Sequence, residues 1–401
     1  MEKPLNMRPE YRLLLLGIKA DCNGQAKHEI AALLEKGMDW VFLLGAAANH
    51  GVMPLLYRAF RKDYSRLVPE EILSQFRSAY QANTVRNLVL TTELQKIVNR
   101  LESGGIPSIP YKGPALAAQL YGDIALRQFV DLDILVRRRD VLKSRDLIVG
   151  MGYQADMEFE GAQALAFKQA YNELALVRND GKVYLELQWE IVPWSFCFSL
   201  DDLDIWRHRQ KSVTKDIRFN ALPPEELLLI LCVHGAKDFW GRLIWVSDAV
   251  ELIRRHPALN WERLTRLADR TGGRRMLLVG LKLARDLFGT VLPEDVERMV
   301  KADPMVGRLT RWIKDRLFGL DESPLDFYKK YAFYFRIRER ARDRVEYLFR
   351  MIITGLLIEW RPLHMPRSFL PLYYMLRPFR LAKKHGTTLI KRGQATFSGA
   401  L

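Results

Sequence analysis

Two aspartates alternate within an apolar run at FVDLDILV, residues 129–136. Side chains two apart on a strand share a face. Asp131 and Asp133 therefore stand side by side, while Val130, Leu132, Ile134 and Val136 turn to the other face and pack on helices. An ionised carboxylate is costly to bury unless it is paired or bound to a metal. Two adjacent ones repel, and either a shared proton or a divalent cation relieves the repulsion. Mg2+ takes one or two carboxylates together with phosphate oxygens and water, so this DxD suits a Mg2+–nucleotide complex. A third acid follows in VYLELQWE, residues 183–190, where Leu185, Leu187 and Trp189 point one way and Tyr184, Glu186, Gln188 and Glu190 the other. Glu186 can join the pair if the two strands are neighbours. Glu190, at the strand end near Pro193, is the fallback. Three carboxylates around two cations allow two-metal phosphoryl transfer, one ion activating the attacking oxygen and the other holding the triphosphate and leaving group.

Upstream, YKGPALAAQLYGD (111–123) reads as the end of a strand, a turn and a helix. Gly113 lets the backbone approach a ligand closely, and the helix after it points its first amides at the turn, an arrangement suited to an anion. Lys112 can meet a phosphate as a point charge, or it is a solvent-facing turn residue. Arg127 can fork onto a phosphate oxygen, or it pairs with Asp123. A second polar group lies on two later helices. His234 and Lys237 are three apart and share a face; Asp238 lies four residues beyond His234, Arg242 opens the next helix, and Asp248 is one turn past Trp245. These residues either border the cleft and hold base, ribose or acceptor, or form a buried network in which Asp248 accepts from His234 or Lys237. His50, flanked by apolar helical positions, reads as a core residue. The chain has no HExxH, CxxC or GxxxxGK[ST] pattern and no nucleophile elbow, so zinc, P-loop and hydrolase chemistries lose support.

The elements that must position these residues follow from periodicity. Apolar residues recur at three-to-four spacing through residues 1–103, which predicts helices. From 104 to 220 the texture changes: IPSIPY (106–111) and FVDLDILV are strands, 114–122 and 138–152 helices, and Asn179-Asp180-Gly181 closes a hairpin spanning 172–191. The helical period returns over 221–304, where PPEELLLILCVHGAKDFW is apolar nearly all round and reads as a buried helix. A basic, aromatic helical region fills 305–401, with weak periodicity over 387–401. The expected fold is α+β, a small mixed-sheet core embedded in a largely helical protein.

Composition sets the outer limits. The 401 residues are 49% hydrophobic with a mean hydropathy of −0.13. No segment reads as a signal peptide, and no uncharged apolar run reaches the roughly 18–20 residues of a membrane span. Three scattered cysteines, Cys22, Cys197 and Cys232, form no disulfide framework. A cytoplasmic location is expected. Of the net charge of +15, most arises from residue 301 onward, with 21 Lys and Arg against 9 Asp and Glu. Such a surface can contact an anionic membrane face or nucleic acid, or it is simply solvated.

KGPALAAQLYGDIALRQFVDLDILV, then LELQW, then LLLILCVHGAKDFWGRLIWVSDAVELI resemble a bacterial family described as uncharacterised nucleotidyltransferases, a divergent branch of the DNA-polymerase-β-like superfamily. The resemblance runs from about residue 30 into YYMLRPFRLAKKHG. It implies a nucleotidyltransferase core of mixed sheet, with Asp131 and Asp133 as the paired acids and Glu186 as the third. It further implies two Mg2+ ions and a nucleoside triphosphate such as ATP as donor. The acceptor stays open among peptide, small molecule, lipid-linked sugar and RNA. The alternative is a binding module of the same fold with little turnover. Two departures bear on this choice. Lys112-Gly113 stands where the superfamily usually carries Gly-Ser or Gly-Gly. Gln188 and Asp238 stand where the family more often has histidine.

Overall fold

The computed structural model describes residues 7–19, 24–156, 171–213, 218–320 and 325–360. Described residues up to Tyr347 form one compact unit and those from Leu348 a second, whose described part is the end of the helix Ala341–Trp360. The segments 373–386 and 387–401 named above lie outside the described residues.

The architecture is α+β. Five strands form one mixed sheet: β1 Ser108–Pro110, β2 Asp131–Val136, β3 Tyr153–Ala155, β4 Glu173–Arg178 and β5 Tyr184–Gln188, in the order β1-β2-β5-β4-β3. β2 and β5 run parallel; every other neighbouring pair is antiparallel. A separate two-stranded ribbon joins β6 Gln210–Val213 to β7 Arg218–Ala221. The parallel pair aligns Asp133 with Glu186 and Asp131 with Tyr184. Paired residues in a ladder face the same way, so one side of the sheet carries Asp131, Asp133, Glu186, Gln188 and Glu173.

The other side is apolar. Leu132, Ile134, Val136, Leu174, Leu176, Leu185 and Leu187 pack on Leu90, Leu94, Ile97, Val98 and Leu101 of the long helix Glu70–Ser103 and on Val141 and Ile148 of the helix Val141–Val149. Burying each such side chain contributes about 1.5–3 kcal/mol, which fixes the register: a slip by one residue would turn the acids into this core. The start of the long helix, Leu73 and Phe76, belongs to a second core. There the N-terminal helices Pro9–Gly17, Trp40–Asn49 and Met53–Asp63 meet six helices that follow the sheet, from Pro224–Lys237 through Pro304–Leu317. The Pro224–Lys237 helix is enclosed on all sides, with every residue from Leu227 to Val233 buried. The sheet is thus an insertion between two helical segments that share one core.

Three details differ from the sequence reading. β2 starts at Asp131, not Phe129, and Val130 is 63% exposed instead of packed on helices. The backbone just upstream is occupied otherwise: Asn83 and Asn87 of the long helix donate to the carbonyls of Ile124, Ala125 and Arg127. The helix expected over 138–152 is a short 3-10 turn followed by Val141–Val149. β3 and the β6–β7 ribbon were not expected. The hairpin turn falls at Asn179-Asp180-Gly181, with Gly181 at φ +71° and Asp180 held by Arg178 at 2.7 Å.

Candidate active site

The acidic side of the sheet opens into a cleft of about 310 Å3. Its walls come from four parts of the chain. The sheet and the turn before β2 give Lys112, Arg127, Asp131, Asp133 and Glu186; the helix Pro224–Lys237 and its end give His234, Lys237 and Asp238; Arg242 and Trp245 come from the start of the helix Leu243–Arg255 and Arg86 from the long helix. Asp131, Asp133, Glu186, Lys112, Arg127, His234, Lys237 and Arg242, all proposed from the sequence, line this cleft, and Gly113 and Asp248 do not.

Gly113, one of the other two, shapes it. Lys112 caps the helix Gly113–Tyr121 in extended conformation, and Gly113 turns the chain at φ +52°. A Cβ at Gly113 would lie 3.3 Å from the carbonyl oxygen of Asp131, in a left-handed conformation that costs a side chain roughly 1–2 kcal/mol. Glycine therefore lets the turn lie against the start of β2, bringing Lys112 to the acids. The Lys112 Nζ reaches Asp133 Oδ1 at 3.1 Å, with Asp133 buried.

The carboxyl groups are crowded. Burial, and then repulsion by Asp133, raises the pKa of Asp131. Burial followed by Asp133 and Glu173 pushes Glu186 up to about 7. The Lys112 ammonium meets one of these carboxyl groups, that of Asp133. Among the described residues, no three His, Cys, Asp or Glu side chains form a ready metal-binding group. The donor set is nevertheless all hard oxygen, as Mg2+ requires, and the Lys112 ammonium stands at Asp133 where a cation would.

The second polar group divides. Arg127 and Asp248 form a buried ion pair, with Arg127 Nε and Nη2 donating to the two carboxylate oxygens at 2.8 to 3.2 Å. Tyr121 also donates to Asp248, at 2.9 Å. Burial opposes the charge on Arg127, but Asp248 outweighs it and the guanidinium pKa is raised. Arg127 thus pairs neither with Asp123, whose carboxylate instead caps the turn at Ala125, nor outward with its fork free. Asp248 accepts from Arg127 and Tyr121, not from His234 or Lys237. His234 faces the cleft, its Nε2 3.5 Å from Asp238 Oδ2 and its ring edge-on to Trp245 at 5.5 Å. Burial, followed by Lys112, Lys237 and Arg127, holds its imidazole pKa well below the ordinary value. Burial raises the pKa of Asp238. Arg242 donates from Nε to the Asn49 carbonyl at 3.0 Å. His50 is buried at the end of the helix Trp40–Asn49, and burial lowers its pKa to about 4.

Three participants, Tyr111, Glu173 and Arg86, escaped the sequence reading, and Gln188 was placed on the face of Glu186 without a role. Tyr111 and Gln188 are buried beside the acids, Glu173 pairs across β4 and β5 with Gln188, and Arg86 enters from a helix distant in sequence. Glu173 lies in the same hairpin as Gln188, so strand register could have found it. Nothing in the local sequence marks Arg86.

Residues 36–289 match the model of a family described as uncharacterised nucleotidyltransferase. The match covers the cleft and stops short of the basic C-terminal region. No curated protein and no solved structure matches the chain. With a family match over more than half its length, centred on the sheet and the cleft, this chain belongs to the uncharacterised nucleotidyltransferase family.

Proposed function

We propose that the cleft binds a nucleoside triphosphate with Mg2+ and passes its nucleotidyl group to an acceptor. The observation that carries this reading is the strand register, which sets Glu186 beside Asp133 with Asp131 two residues away, under a lysine ammonium. Asp131, Asp133 and Glu186 would hold two Mg2+ ions, which would supply positive charge against the phosphates. Lys112 exchanges its contact with Asp133 for a phosphate oxygen, and the turn at Gly113 presents the amides of the helix behind it. Lys237, Arg242 and Arg86 add positive charge along the cleft wall. Arg127, anchored by Asp248, contributes potential without spending its fork on the ligand. An acceptor hydroxyl would give up its proton to water as its oxygen attacks the α-phosphorus, the bond to the β-phosphate oxygen would break, and pyrophosphate would leave. Positioning and charge neutralisation do most of the work in such transfers.

The test is pyrophosphate release from each of the four nucleoside triphosphates with Mg2+, across candidate peptide, small-molecule, lipid-linked and RNA acceptors. Asp131→Asn, Asp133→Asn and Glu186→Gln should each abolish release while retaining the wild-type melting profile. Undiminished release in Asp133→Asn would overturn the assignment. One observation favours a second reading, a nucleotide-binding module without turnover: Lys112 already occupies Asp133. Triphosphate binding that ignores Mg2+, with no pyrophosphate formed, would select it.

A further inference from the structure

Beneath the acids lies a hydrogen-bonded amide that none of the roles above uses. Gln188 is 1% exposed and sits on β5 two residues after Glu186. Its Nε2 has two protons and donates to Asp133 Oδ1 at 3.0 Å and to Glu186 Oε2 at 2.8 Å, with Glu173 Oε2 sharing a proton at 3.3 Å. Its Oε1 accepts from the buried hydroxyl of Tyr111 at 2.6 Å. The direction of this amide is dictated by electrostatics. Turned over, it would aim a carbonyl oxygen at three carboxyl groups and leave the Tyr111 hydroxyl facing an NH2 group. Tyr111 is therefore the donor that fixes the amide, and the amide is the donor that gathers the acids.

Chemistry explains why an amide suits the place. A lysine or arginine here would cancel charge in the cluster and compete with a bound cation. A glutamate would add one more repelling group. A neutral NH2 holds one oxygen of Asp133 and one of Glu186, and among the described residues Asp133 Oδ2 and Glu186 Oε1 accept no hydrogen bond. Those oxygens keep their lone pairs free of protein donors among the described residues.

We infer that Gln188, locked by Tyr111, is a positioning residue that orients Asp133 and Glu186 for a divalent cation. This inference rests on the metal assignment under the proposed function. The role matches that of the hydrogen-bonding groups behind metal ligands in general, whose loss costs about 10–100-fold in metal affinity.

The experiment is a calorimetric titration of the full chain with Mn2+ alone, as a probe for Mg2+, without nucleotide. Three proteins are compared: wild type, Tyr111→Phe and Gln188→Leu. Tyr111→Phe removes a single oxygen and keeps the ring in its pocket, so it remains informative if Gln188→Leu does not fold. Affinity for Mn2+ should fall about tenfold in Tyr111→Phe and further in Gln188→Leu, with unchanged stoichiometry. A wild type that binds Mn2+ while both folded variants bind it equally well overturns the role of Gln188 and leaves the metal assignment standing. A wild type that binds no divalent cation overturns both.

Discussion

Replacing Asp248 by Asn tests whether the ion pair behind the cleft is what joins sheet region to helices. The pair is nearly sealed, with side chains 6% exposed for Arg127 and 1% for Asp248. Asn keeps the size of Asp and one oxygen but removes the charge. Arg127 then stays buried with no counter-ion, and Tyr121 loses a charged acceptor. Breaking one side of a buried pair typically costs about 3–5 kcal/mol, because the stranded charge cannot reach water. Geometry alone does not set this figure. Arg12 grips Glu29 at 2.6 Å, yet the two side chains are 52% and 37% exposed, and an exposed pair is worth about 0.2–1 kcal/mol. Urea denaturation at neutral pH, followed by tryptophan fluorescence, should therefore show a large fall in midpoint for Asp248→Asn and a small one for Glu29→Gln. Replacing Arg127 by Met in the Asp248→Asn background should recover much of the loss, since it removes the stranded charge. Equal small shifts for both single variants would refute the reasoning from burial.

Two further outcomes are expected. Lys112 competes with an added cation for Asp133 and also pairs with phosphate, so Lys112→Met should change two affinities in opposite directions: calorimetry should give tighter Mg2+ binding without nucleotide and about tenfold weaker triphosphate binding with it, and a fall in both would remove the competition argument. His50 has its pKa lowered by burial from 6.5 to about 4, so the unfolded chain takes up this proton first; the stabilising contribution is complete above about pH 6.5 and lost as pH falls toward 4, by ~3 kcal/mol at pH 4, and His50→Gln should flatten that part of the stability–pH profile measured by denaturation.

Much of the site was legible because strands enforce a two-residue period. Asp131 and Asp133 could be put on one face from alternation alone, Glu186 could join them only on condition that its strand was a neighbour, which the β2–β5 pairing meets, and Gly113 could be placed at a turn because glycine accepts that backbone with the least strain. The Asn-Asp-Gly hairpin was readable for the same reason. What escaped depends on contacts between distant segments. Gln188 stood out only as a residue in an unexpected place, since its role appears when Tyr111, 77 residues earlier, lies beneath it. Asp248 reads from the sequence either as bordering the cleft or as accepting from His234 or Lys237, and it instead meets Arg127, 121 residues earlier. Val130 fits the alternation, but the ladder starts one residue later at Asp131 and leaves Val130 exposed. β3 spans only three residues, too few for periodicity to separate it from a loop. The shared core of the first and last helices is likewise a tertiary fact, invisible to local pattern.

The most direct measurement of the central claim is calorimetric binding of a non-hydrolysable nucleoside triphosphate, with and without Mg2+, to wild type and to Asp133→Asn. The account predicts binding to wild type that requires Mg2+ and is lost in Asp133→Asn, while thermal melting confirms that the variant is folded. Binding of equal strength in all four conditions would contradict it.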